Sequence, residues 1–319
     1  MSYQLRGDET ISKGLCRIYR KQLKQAVAVA RGEVDHDDTP AHRTRKHLKK
    51  ARAVLWLVRK KIGRTAFKRQ DRVLRDVGRL ISEVRDAEVR LQTVRQLQNV
   101  ARRQHHRSFR KVEELLMLEL QHFVVAFAEW QQQAIPMLEK LRDDASQWHV
   151  NGFSETELGS EVRKTYQRAR NALGHAQVEP TEEYFHEFRK EAKMLWYHLR
   201  ILRPVNPLVL ANMSSELNGL TDLLGRAHDL SFLGQRVRSE KHPGNSRDEW
   251  TDLLTMIEAS EIELQFGATQ LAERFFGERP KQFRARLDTW LEDWAGGEMP
   301  SLADELVQEK TPAPPVVPV

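Results

Sequence analysis

The 319-residue sequence has few of the features that announce a chemistry. It holds a single cysteine, Cys16, which excludes an intramolecular disulfide and a thiolate zinc cluster. Beside Leu15 and Ile18 on a helical pattern, Cys16 reads as a small core residue. No apolar run approaches the roughly 20 residues needed to cross a bilayer. The segment MSYQLRGDET carries acids where a leader would carry an apolar core, so no secretory signal is expected. These absences point to a cytoplasmic protein without a membrane partner. Strand signals are scarce as well: there is no sustained Val/Ile/Thr alternation and no Asn-Gly or Asp-Gly hairpin between apolar runs. H-E-x-x-H, a P-loop and a strand-borne G-x-G-x-x-G are also missing, so neither a metal nor a cofactor is expected.

Charge is abundant and unevenly placed. Residues 11–110 carry 28 Lys and Arg against 9 Asp and Glu, a net of +19, although the whole chain is only +7. Such a concentrated field attracts phosphate polymers, nucleic acid or acidic lipid, unless it is only a solvated face. Apolar residues recur at helical spacing almost throughout. The pattern predicts an all-α fold with helices over 9–31, 40–62, 66–99, 105–148, 156–174, 181–203, 207–238, 247–276 and 280–294. Gly, Pro, Asn and Asp clusters mark most of the breaks, and Pro136 is expected to kink or end the helix over 105–148. The tail over 296–319 closes in TPAPPVVPV and is expected to be unstructured.

Overlaying the two halves exposes a repeat. HRTRKHLKKARAVLW starts at His42, and HEFRKEAKMLWYHLR starts 144 residues later at His186. His42, Arg45, Lys46 and Lys49 fall on His186, Arg189, Lys190 and Lys193. Downstream, Asp86 follows His42 by 44 residues and Asp229 follows His186 by 43. A repeat this long is no solenoid unit, and it suggests a duplicated four-helix bundle, with halves over 1–150 and 151–295.

In each copy the cations share one helix face, together with Ala53 or Tyr197. Ala51, Val54, Leu55 and Val58, or Leu195, Leu199 and Leu202, share the opposite face. No acid on the same stripe relieves the repulsion, which an arriving anion would. Lys and Arg at one-turn spacing can engage successive phosphates of a chain. A nearby phosphate would also raise a histidine's pKa. Further basic rows occur at Arg17, Arg20, Lys21 and Lys24, at Lys164 and Arg168, and at Arg72, Arg75 and Arg79. An ordinary solvated face is the plainer account of those.

These paired motifs resemble the CHAD domain, the conserved histidine α-helical domain. Each of its halves carries an H-x-x-R-x-x-x-(K/R) helix followed by a leucine-rich helix ending in Asp. The matching stretches are HRTRKHLKKARAVL with RDAEVRL, then HEFRKEAKMLWYHL with LNGLTDLLGRAHDLSFL. Similarity extends over roughly 9–295. The resemblance implies two pseudo-symmetric four-helix bundles around a basic channel that binds inorganic polyphosphate, and some members associate with polyphosphate granules. It places His42, Arg45, Lys49, Arg52, His186, Arg189, Lys190 and Lys193 along that channel, with Lys50 beside them. Trp196 departs from the pattern, standing where the second motif usually has a basic residue.

Asp86 and Asp229 are expected to orient basic side chains or a helix end, because no nucleophile or metal partner suggests catalysis. His228–Asp229 resembles the dipeptide of HD-type phosphohydrolases, but the first copy has Arg85 at the histidine position. Glu261–Phe266 (EIELQF) imitates a CYTH triphosphatase opening without its basic residue. His105–His106 lacks carboxylates at ligand spacing. Trp130, Trp148, Trp290 and Trp294 read as core. The expected function is therefore non-enzymatic polyphosphate binding. A helical nucleic-acid binder, for which no helix-turn-helix or base-stacking platform is evident, and a metal-dependent polyphosphate hydrolase are the alternatives. Oligomeric state is left open.

Overall fold

A computed structural model describes residues 3–34, 39–103, 108–146, 148, 150, 152–240 and 247–296. Among them the chain is all helical, with eleven α-helices and no strand. The helices are α1 (Ile11–Ala30), α2 (Pro40–Val58), α3 (Arg64–Leu80), α4 (Ser82–Arg103), α5 (Arg110–Ala126) and α6 (Trp130–Ser146). They continue with α7 (Glu155–Val178), α8 (Glu182–Leu202), α9 (Pro207–Ser239), α10 (Arg247–Phe275) and α11 (Pro280–Gly296). His105, His106 and the segment over 297–319 lie outside the described residues.

Local chemistry starts the helices that matter most. Thr39 accepts from the His42 N–H at 3.3 Å, and Pro40 presets the first turn of α2. Thr181 accepts from the Tyr184 N–H at 3.3 Å and so opens α8. Ser154 and Glu157 form a reciprocal capping box at α7. Asn206 caps the Val209 N–H at 3.2 Å, with Pro207 next to it. Such caps contribute about 1 kcal/mol each. Fully burying one Leu or Val contributes roughly 1.5–3 kcal/mol, so the apolar faces dominate. Ala51, Val54, Leu55 and Val58 of α2 and Leu195, Leu199 and Leu202 of α8 are indeed inaccessible to solvent.

Two predicted helices are in fact pairs. The segment over 66–99 breaks at Ile81, and the one over 105–148 breaks at Phe127–Glu129. Pro136 neither ends nor precedes a break but sits inside α6. An interior proline costs about 3 kcal/mol. Here Trp130, Ala134, Leu138 and Leu141 are buried on the same helix and offset that cost. In the second half α9 runs through without a break, and Gly225 occupies the position matching Ile81.

The packing partners recur between the halves. α1 lies along α2 and α6, while α7 lies along α8 and α11. α4 packs on α5, and α9 packs on α10. Across the halves, α2 meets α8 and α4 meets α9. The principal hydrophobic cluster draws on both halves, from Leu5 and Leu15 to Phe283 and Leu291. A smaller one joins Leu91, Val94 and Val112 to Leu233, Trp250 and Ile257. Cys16 is buried, as are Ala53 and Tyr197, which the helical wheel had placed on the basic face. Trp130, Trp148, Trp290 and Trp294 all pack on the larger cluster. No helix among the described residues is long and apolar enough to cross a membrane.

Candidate anion-binding site

The crossing of α2 and α8 decides where the two stripes point. His198 is buried and donates from Nε2 to the Ala53 carbonyl at 2.9 Å. Burial lowers its pKa to about 3, so it remains the neutral tautomer. With the helix backs locked together, the cations of the two copies come within each other's field. Lys49 feels Arg189 and Lys193 of the second copy, and Arg45 and Arg85 of its own. Its side chain is exposed to solvent, although protein atoms crowd the ammonium on several sides. Burial first and those neighbouring cations second lower its pKa to about 7. Lys193 falls to about 8 through burial, against the opposing pull of Asp222 at 3.8 Å. Lys50 also falls to about 8, through burial and the charges of Arg200, Lys46 and Lys21.

Arg45 is half-buried and reaches the Gly78 carbonyl at 3.5 Å, where α3 ends. Its counterpart Arg189 lies over Gly225, with Nε buried and without a hydrogen-bond partner. A buried cationic donor without an acceptor leaves a cost on the order of 1–3 kcal/mol that an incoming anion would remove. The His186 and His228 rings stand 4.7 Å apart. Burial, then Arg189 and His186, lower His228 to about 4; burial, then Arg189 and Lys190, lower His186. Arg45, Lys49, Arg85, Arg189 and Lys193 therefore form one electropositive group, with the two neutral imidazoles beside it.

Asp86 and Asp229 face this group, but no ion pair within 4.0 Å reaches either of them among the described residues. Burial raises the pKa of both, outweighing Arg45 and Arg90 at Asp86, and Arg189 and Arg85 at Asp229. They temper the field without a close ion pair, and Asp229, in the interior of α9, does not orient a helix end as expected. His228 and Asp229 lie within α9, and no group of three ligands that could hold a metal occurs among the described residues. The EIELQF run lies inside α10.

Several sequence candidates are engaged elsewhere. Arg17 is paired with Glu9 and donates to the Gln4 carbonyl at 2.8 Å. Arg20 donates to the Ala145 and Ser146 carbonyls at 3.0 and 3.1 Å, satisfying the C-terminus of α6. Lys164 binds Glu161 at 2.7 Å, and Arg168 binds Glu191 at 2.9 Å while lying 5.1 Å over the Trp56 ring. Arg52 holds Asp71 at 2.8 Å, and Arg75 holds the same carboxylate at 3.2 Å. Arg79 pairs with Asp76 at 2.8 Å. Lys190 pairs with Glu187, so an acid does relieve the second stripe, contrary to expectation. Lys24, Lys46 and Arg72 are exposed, Lys21 and His42 half-exposed.

Two contributors escaped sequence reasoning. In the sequence Arg85 stands out only as the residue before Asp86, yet its field reaches Lys49 and Asp229. Arg200 stacks at 4.5 Å on Trp196, whose ring also carries the Lys193 ammonium at 4.0 Å. Trp196 thus replaces a cation with a platform for two of them.

A family model described as the CHAD domain matches residues 17–238, while no curated protein matches the chain. The match opens inside α1 and closes in the last turn of α9, so α10 and α11 lie beyond it.

Proposed function

Because the chain belongs to the CHAD-domain family, we propose that it binds inorganic polyphosphate, without turning it over, along a basic channel between two pseudo-symmetric helical bundles. The halves over 1–150 and 151–295 would supply one wall each, and a cytoplasmic place beside polyphosphate granules belongs to the same reading. The observation that carries it is the meeting of Arg45 and Lys49 with Arg189 and Lys193. Cations that depress one another's pKa hold unfavourable electrostatic energy in the free protein. A chain of phosphates turns each repulsion into an attraction, and the unpartnered Nε of Arg189 gains an acceptor. A cluster of cations drawn from both copies suits a thin flexible polyanion that can place successive phosphates against them.

The test is charge reversal at Arg45 with Lys49, and separately at Arg189 with Lys193. Polyphosphate affinity should fall by on the order of a hundredfold in either variant, taking roughly 1 kcal/mol or more per reversed contact. The helical circular dichroism signal should stay intact. Unchanged affinity in both variants would overturn the reading. So would single- or double-stranded nucleic acid displacing polyphosphate at physiological salt, or sustained phosphate release by the wild type with Mg²⁺ or Mn²⁺.

A further inference from the structure

The outer face of α3 is strongly basic outside the central group as well. Arg64, Lys68, Arg72, Arg75 and Arg79 occupy a helix face only about 80° wide, along about 22 Å of axis. The opposite face buries Gln70, Leu74 and Val77. Arg75 and Arg79 border a cleft of about 260 Å³ together with Arg52 and with Arg45 and Lys49 of the central group. Arg64, Lys68, Arg69 and Arg72 border the next cleft outward, of about 420 Å³. The row therefore begins beside Arg45 and Lys49 and leads away from them.

Its inner and outer parts differ in how they are neutralised. Arg75 and Arg79 have carboxylate partners, and Arg69 has Asp144 at 3.3 Å. Among the described residues, no ion pair forms at Arg64, Lys68 or Arg72. The outer end is also the N-terminus of α3, where the helix dipole is positive. Gly63, at φ 81°, provides no side-chain cap there, and the first turn holds no acid. Cations at that end work against the dipole and against each other, an arrangement that only an anion relieves. The second copy has nothing of the kind: residues 208–224, which match α3, contain Glu216 and Asp222 but no Lys or Arg. A generic need for solvation would have shaped both copies alike.

We infer that the outer face of α3 is a second anion-binding segment, continuous with the central group, along which a long linear polyphosphate leaves that group on the first-copy side only. This rests on the central group being a polyphosphate site. It makes the protein a reader of chain length: a short oligomer is held wholly by the central group, and a long one gains the α3 row as well.

The experiment compares tripolyphosphate with long-chain polyphosphate on the full chain, for the wild type and for Arg64→Glu with Lys68→Glu. Both side chains are exposed, and an acid at the first turn of α3 favours the helix, so folding should be unaffected. Long-chain affinity should fall on the order of tenfold, and the salt dependence of log K should flatten by about 1.4 for two lost contacts. Tripolyphosphate affinity should not change. Equal losses for both ligands, or no loss for either, would overturn the inference while leaving the central site standing. A wild type that binds neither ligand would overturn the central site itself. If the variant instead loses single-stranded DNA or anionic vesicles but keeps long polyphosphate, the row serves another partner and the inference fails.

Discussion

Lys49 shows how a single residue carries the energetics of the site. Its pKa of about 7 lies well below the ordinary lysine value of 10.5. Between those two pH values the unfolded chain binds more protons at this position than the folded one. The free protein should therefore gain stability as pH rises from about 7 toward 10. Polyanion binding runs the other way. Phosphate raises the Lys49 pKa, so binding takes up a proton, and affinity should decline as pH passes from 7 to 9. Lys193 and Lys50, both near 8, add to the same trend. Calorimetric titration in buffers of different ionisation enthalpy would read the uptake directly. Lys49→Arg, which stays charged throughout, should remove part of that uptake and flatten the pH profile. An identical profile in wild type and variant would show that Lys49 is charged before the ligand arrives.

At the scale of elements, capped boundaries were legible and uncapped ones were not. Thr39–Pro40, Ser154 with Glu157, and Asn206–Pro207 announce helix starts through side-chain chemistry that is local in sequence. The breaks at Ile81 and Phe127 carry no glycine or proline. Packing against distant helices sets them, which a periodic pattern does not contain. The same distinction separates the site residues. The two stripes were readable because the repeat offered each residue a counterpart. Arg20 and Lys164 have partners, the end of α6 and Glu161, that tertiary packing sets and basic spacing does not reveal. Glu161 itself ties α7 to α2. Only 3% exposed, it receives Arg59 at 2.5 Å, Lys60 at 3.2 Å and Lys164 at 2.7 Å. Burial alone would raise its pKa, but the Lys164 hydrogen bond and the Arg59 charge together outweigh burial and lower it. Its stabilising contribution is thus present above the unfolded value of about 4.5 and is lost as pH falls through the folded one. Glu161→Gln leaves three cations without their anion and should cost roughly 3 kcal/mol. Thermal melts should show a lowered Tm at pH 7 and a smaller drop on acidification than in the wild type. A variant with unchanged Tm would mean that the cations simply turn to solvent.

For the molecule as a whole, the sequence repeat and the hydrophobic core divide the chain differently. The repeat separates it near residue 150, yet the principal cluster runs from Leu5 to Leu291, and the smaller one joins α4 and α5 to α9 and α10. Backbone contacts cross the division as well: the Leu5 N–H donates to the Ile201 carbonyl at 3.0 Å, and His198 donates to the Ala53 carbonyl at 2.9 Å. Each half taken alone would expose the apolar surface that the other now covers, at a cost that scales at roughly 25 cal/mol per Å². The hydrophobic core thus spans both halves of the repeat, and neither half is expected to fold alone. The full chain should unfold in a single transition in which circular dichroism and tryptophan fluorescence coincide. Residues 1–150 and 151–296 expressed separately should lack a cooperative melt, and mixing them should restore one together with polyphosphate binding. The charge distribution makes the second outcome informative, because the two stripes meet where α2 crosses α8 even though their cations repel. Two resolved transitions in the intact chain, or a separately expressed half that melts cooperatively and binds polyphosphate by itself, would show that each copy is a complete unit and that the crossing of α2 and α8 is dispensable.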